Sequence, residues 1–190
     1  MTEDELSIQL KLLSEDSVLS LADRIIKNLQ YIRDDQTYEE NSRLFELLSV
    51  LFERSEGESL KAELFQKILD VILESSYAYS HYITKLKTYT SQPEIRKTIM
   101  EKGLLDRIIT AFGQSNSFYQ AGQSSAVVLN FNEELTSGQI ETIVKWLLVN
   151  EQIRYSWRAQ ANLKLIFSRH KGEFSEEKRA EIKKTLGIDF

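Results

Sequence analysis

The side chains able to do acid–base or metal chemistry are few. The chain has two histidines and no cysteine. His81 stands among Tyr77, Tyr79 and Tyr82, and His170 opens the run His170-Lys171-Gly172-Glu173. For either to work as a catalytic base, a nucleophile and an orienting carboxylate must be brought in from elsewhere in the chain. Without that, His81 reads as a polar residue in an aromatic helix, and His170 as a helix-terminal histidine favoured by the dipole. Two imidazoles and no thiol exclude a histidine-rich or thiolate zinc site. The adjacent carboxylates Glu39-Glu40 and Glu133-Glu134 point about 100° apart on a helix, so neither pair converges as an acid and a base. The seven glycines are isolated and form neither a Gly-x-Gly-x-x-Gly nor a Walker-type phosphate cradle. They fall between helical patterns, where caps and tight turns account for them. No catalytic, cofactor-binding or metal-ligating residue is assigned, no cofactor is implied, and an enzyme is not the expected class.

The aromatic and cationic residues carry a stronger signal. Tyrosine, tryptophan and arginine supply much of the energy of protein interfaces. Tyr77, Tyr79, Tyr82 and Tyr89 cluster in one segment, Phe118-Tyr119 follows later, and Trp146 lies beside Ile143 and Leu147. Trp157 shares a stripe with Ile153, Ala161 and Leu165 and is expected in the core. Arg154 and Arg158 are four residues apart and share a helix face. Tyr82, Trp146, Arg154, Tyr155 and Arg158 are therefore the candidate partner-binding residues, and the expected partner is another protein. Charge is uneven: residues 1–60 carry 14 acidic against 6 basic side chains, and residues 154–184 carry 9 basic against 4 acidic. The basic run (Arg154, Arg158, Arg169, Lys171, Lys178, Arg179, Lys183, Lys184) is interleaved with carboxylates and lacks a recognition motif, so nucleic acid is not the expected partner.

These residues need positioning elements, and composition says those are helices. One proline and seven glycines in 190 residues leave long uninterrupted runs. A net charge of −5, 42% hydrophobic residues and 28% charged residues describe a soluble globular chain. The acidic start Met1-Thr2-Glu3-Asp4-Glu5 is unlike a signal peptide, no apolar run is long enough for a span, and cytoplasmic residence is expected. Apolar residues recur at three- and four-residue steps: Val18, Leu21, Ala22, Ile25 and Leu29; then Leu44, Phe45, Leu48, Leu51 and Phe52; then Leu60, Leu64, Ile68 and Ile72. Phe65, Leu69 and Leu73 widen the last stripe enough to be covered on two sides. Later helices are expected near 76–87, from Ser91 as cap with Pro93 in the first turn, from Leu104 to Gly113, and from Gln120 to Leu129. Three more follow: Thr136 or Ser137 to Val149, one long helix over about 151–169, and a last one from Ser175 to Leu186 with Gly187 as its cap. A further short helix is expected after Thr2, and no segment alternates as a strand would.

One stretch resembles a family. Tyr82-Ile83-Thr84-Lys85-Leu86 leads into Gln92-Pro93-Glu94-Ile95-Arg96-Lys97-Thr98-Ile99-Met100-Glu101-Lys102-Gly103-Leu104-Leu105-Asp106-Arg107-Ile108-Ile109. Over residues 80–116 this resembles one armadillo or HEAT-type repeat: a first helix, a proline-capped second, a glycine and a leucine-rich third. The flanking segments 44–72 and 126–167 share helix pairing but not the motif. The resemblance implies stacked antiparallel helix pairs and an interaction scaffold. The expected fold is a single all-α domain, 1–190, arranged as an α-solenoid-like stack, with a compact multi-helix bundle as the alternative. The expected function is a protein-binding scaffold or adaptor. The alternatives are a HEAT-like nucleic-acid-binding or modifying enzyme, and a structural subunit of a homo-oligomer.

Overall fold

The stripes read from the sequence become helices wherever the computed structural model describes the chain, at residues 12–31, 38–74 and 79–187. The expected first helix and the start of the helix expected near 76–87 lie outside the described residues. Eleven α-helices are found among the described residues, and the fold is all-α. Residues group into two compact units, Met1–Ser76 and Tyr77–Phe190.

The first unit contains α1 (Glu15–Tyr31), α2 (Tyr38–Arg54) and α3 (Glu58–Glu74). Each packs on the other two. The wide stripe of α3 is the reason it is covered from both sides: Leu64, Phe65, Ile68, Leu69 and Ile72 are all fully buried. Val18, Ala22 and Ile25 of α1 are buried in the same unit, and Phe52 of α2 meets Phe65 with ring centroids 6.0 Å apart. Lys67 Nζ of α3 donates to Asp23 of α1 at 2.6 Å.

The second unit contains α4 (Tyr79–Thr90), α5 (Pro93–Glu101), α6 (Leu105–Gly113), α7 (Phe118–Leu129), α8 (Ser137–Val149), α9 (Glu151–Arg154), α10 (Trp157–Arg169), a 3-10 turn (Lys171–Glu173) and α11 (Glu176–Leu186). Pro93 occupies the first turn of α5 as expected, but its cap is Gln92; the Ser91 hydroxyl is committed to the Thr88 carbonyl at 2.7 Å. Gly103 turns the chain with φ +63°, and Gly187 ends α11 with φ +64°. Thr136 and Gln139 form a reciprocal capping box on α8, and Ser175 caps α11.

Helix α7 lies between α4 and α10 because its side chains are small. Ala121, Gly122, Ser124 and Ser125 are buried, and the serine hydroxyls are satisfied by the Gln120 and Gly122 carbonyls at 2.7 and 2.9 Å. A Cβ on Gly122 would stand 2.9 Å from Cβ of Arg158 in α10, so only glycine permits this approach. Asn162 Nδ2 of α10 donates to Ser125 Oγ at 2.9 Å. On another side, Asn130 Nδ2 donates to Lys87 O and Thr90 Oγ1 of α4 at 3.0 and 2.9 Å, and Tyr119 lies by Thr84. These pairings make α4, α7 and α10 run in the same sense. Helices α6 and α8 do likewise, through Gln139–Asp106 at one end and Asn150–Gly113 at the other.

Candidate functional site

The segment expected as one helix over 151–169 is broken at Tyr155-Ser156. Two competing caps cause the break. Asn150 accepts from Gln152 N at 2.8 Å and starts the single turn of α9. Ser156 accepts from Ala159 N at 3.4 Å to start α10, and donates to Phe118 O at 2.9 Å. That second bond fixes the corner against the first residue of α7. Tyr155 is left at the corner with its side chain outward, 65% exposed, and the Arg154 guanidinium lies 5.4 Å from its ring centroid. Trp157 begins α10 at 72% exposure, with Arg158 stacked over it at 5.1 Å. Phe118 and Tyr119 are exposed at the start of α7. The result is an edge of aromatic rings and guanidinium groups, a combination suited to cation–π and apolar contacts.

The edge continues along α10. Its buried positions are Ala159, Leu163, Ile166 and Phe167. The stripe of Trp157, Ala161 and Leu165, expected to face the core, faces outward instead, with Leu165 56% exposed. Helix α10 is apolar on two faces, and the Ser156–Phe118 bond and the Gly122 contact select which one turns inward. The sequence of α10, Trp157 to Arg169, contains Arg158, Lys164 and Arg169 and no acidic residue.

Of the five candidate residues, Arg154, Tyr155 and Arg158 meet in this edge. Trp146 lies elsewhere: its indole covers Gly113, in a contact that leaves no room for a Cβ. The side chains of Tyr82 and His81 lie outside the described residues. Phe118, Tyr119, Trp157 and Leu165 belong to the edge and were not singled out for binding. The acid-free run from Trp157 to Arg169 is the signal that marks Trp157 and Leu165; Phe118 and Tyr119 lie at the start of α7, where no local signal marks them. The longer basic run is not one patch. Arg154 reaches Glu151 at 3.7 Å, Arg169 reaches Glu133 at 3.0 Å, and Lys178 reaches Glu181 at 2.7 Å.

The paired carboxylates Glu133 and Glu134 and the described histidine, His170, are structurally engaged. Glu133 pairs with Arg169 while its neighbour Glu134 turns to Arg96 at 4.0 Å, so the two carboxylates serve different helices. His170, at the end of α10, places Nε2 2.8 Å from Asn132 O and Nδ1 2.6 Å from Glu173 Oε1. It ties the turn after α7 to the 3-10 turn after α10. The Ser137 hydroxyl and the His170 imidazole hold the Glu173 carboxyl below its ordinary value of 4.5. A carboxyl lowered in the folded state stabilises above its unfolded value, and that contribution is lost as pH falls through the lowered folded value. Glu173→Gln is therefore expected to be less stable than wild type at neutral pH, with the two denaturation midpoints converging in acid. A gap that widens in acid contradicts this. Glu173 also borders a groove of about 610 Å³ between α8 and α11, floored by Ile140, Val144 and Phe174.

No family model, no curated protein and no solved structure matches this chain. Among the described residues, no helix is long and apolar enough to cross a membrane, and no three His, Asp or Glu side chains are grouped to hold a metal ion.

Proposed function

We propose that the chain is a protein-interaction scaffold whose unit Tyr77–Phe190 binds a partner protein through the edge at Tyr155 and the outer face of α10. The observation that carries this reading is the outward stripe of Trp157, Ala161 and Leu165, bordered by Arg158 and free of carboxylates along the helix. A helix that turns a tryptophan and a leucine to solvent beside an arginine has the composition of an interface centre. The finer arrangement proposed is a short armadillo/HEAT-like stack of helix layers. It is supported by the common sense of α4, α7 and α10, by that of α6 and α8, and by the three-helix run over residues 80–116. In a stack of this kind each layer covers its neighbour and the terminal layer is exposed. The absence of cysteine supports a reducing, cytoplasmic setting as part of the same proposal.

The test compares capture from native extract by the wild-type chain and by Trp157→Ser/Leu165→Ser, with nuclease present. A stoichiometric protein held by wild type and lost by the variant is the expected outcome, at a cost of about 2 kcal/mol or more, roughly 30-fold in affinity. Because both side chains face solvent, the two melting curves are expected to superimpose. A partner retained equally by both proteins sinks the reading.

A further inference from the structure

We infer that the occupant of the outer face of α10 is an amphipathic helix of another protein, its apolar stripe flanked by aspartate and glutamate. This rests on the scaffold reading above and specifies its partner. Shape is the first argument. Trp157, Ala161 and Leu165 recur at one-turn spacing and span about 12 Å of axis. The small Ala161 between two large side chains forms a notch for an apolar knob, as in helix-in-groove recognition. The adjoining face of the same helix already takes a helix in this way, with Gly122 and Ser125 of α7 seated against Arg158 Cβ and Asn162.

Charge is the second argument, and it selects among occupants. At about 100° per residue, Lys164 falls on one border of the stripe and Arg158 on the other. Both are exposed, and neither makes an ion pair among the described residues. A partner helix therefore meets cations on both flanks with no carboxylate on α10 to oppose its own. A second copy joined α10 to α10 would bring Arg158 and Lys164 against their own kind, which opposes association. Nucleic acid would find only these two cations uncommitted on the face, since Arg169 is held by Glu133, and so few phosphate contacts give weak binding.

The probes are two synthetic helical peptides of about four turns, with leucine at the same i, i+3, i+4, i+7 positions and either glutamate or lysine on the flanks. A third probe is a single-stranded oligothymidylate. Binding is read by anisotropy of the labelled probe and by a blue shift of the exposed Trp157. The glutamate peptide is expected to bind, to weaken with salt, and to bind at least roughly tenfold more tightly than the lysine peptide. Arg158→Glu/Lys164→Glu is expected to reverse that preference, and Ala161→Trp to abolish binding of both peptides while circular dichroism stays unchanged. Equal binding of the two peptides, binding of neither, displacement by the oligothymidylate, or a dimer dissolved by the charge reversal each overturns the inference. If the extract partner depends on Trp157 and Leu165 but the glutamate peptide does not bind, the scaffold reading stands and the acidic helix is wrong. If capture is indifferent to those residues, both fall.

Discussion

Gly113→Ala is expected to destabilise unit Tyr77–Phe190 by about 2 kcal/mol, the net of an overpacking cost of about 3 and a helix-propensity gain of about 1. The opposite sign would follow from propensity alone, because Gly113 is the last residue of α6 and alanine is the better helix former. The deciding fact is the indole of Trp146, which lies on the Gly113 backbone where the new Cβ would be. The ring is part of a helix whose neighbours Ile143, Val144 and Leu147 are buried, so it cannot move without disturbing the α6–α8 contact. In a unit of this size the loss corresponds to a fall in melting temperature of roughly 10 °C. A double-mutant cycle isolates the cause. In the Trp146→Ala background the space is open, and Gly113→Ala is expected to be neutral or stabilising. Equal destabilisation in both backgrounds, by urea titration, would show that the indole is not responsible.

That position also shows where sequence reasoning reached its limit. Gly113 reads as a helix stop, and glycines in general read as caps. Gly103 and Gly187 are turns with positive φ, as that reading requires. Gly113 and Gly122 are instead places where a helix admits a neighbour, and one chain's sequence does not say which neighbour arrives. Some local chemistry was legible: Pro93 in a first turn, the start of α8 at Thr136 or Ser137, the Ser175 cap, and the wide stripe of α3. These depend on residues within a few positions of one another. The phase of α10 was not legible. Apolar residues occur on both its faces, and the choice is made by Phe118 and Gly122, more than 30 positions earlier. The same misreading hides Trp157 in a core that it does not enter. Arg154, Tyr155 and Arg158 stand out by residue type and by the four-residue spacing of the two arginines, although the break at Tyr155-Ser156 puts those arginines on different helices. Phe118 joins them only through the hydroxyl of Ser156, a bond between residues 38 apart.

A comparably large effect is expected at Asn150, and the comparison of two substitutions identifies its origin. The side chain caps two helices at once. Its Oδ1 accepts from Gln152 N at the start of α9, and its Nδ2 donates to Gly113 O and Ser115 O at 2.8 and 3.0 Å. The second function closes the C-terminus of α6, whose last carbonyls have no partner within the helix. Asn150→Ala removes a cap worth about 1 kcal/mol and two hydrogen bonds worth about 1 each, for a loss of roughly 2–3 kcal/mol. Asn150→Asp keeps an equally good N-cap, so if α9 were all that mattered it would be close to neutral. Here it turns the amide donor into a carboxylate facing two carbonyl oxygens. It is therefore expected to be at least as destabilised as the alanine variant at neutral pH. Protonation restores one donor, so its deficit relative to Asn150→Ala should shrink as pH falls into the carboxylate range. Parallel pH profiles for the two variants, or a stable aspartate variant at neutral pH, would place the stabilisation in the α9 cap alone. The expected divergence places it at the α6–α8 junction, where Trp146 and Asn150, one turn apart on the chain, both hold Gly113.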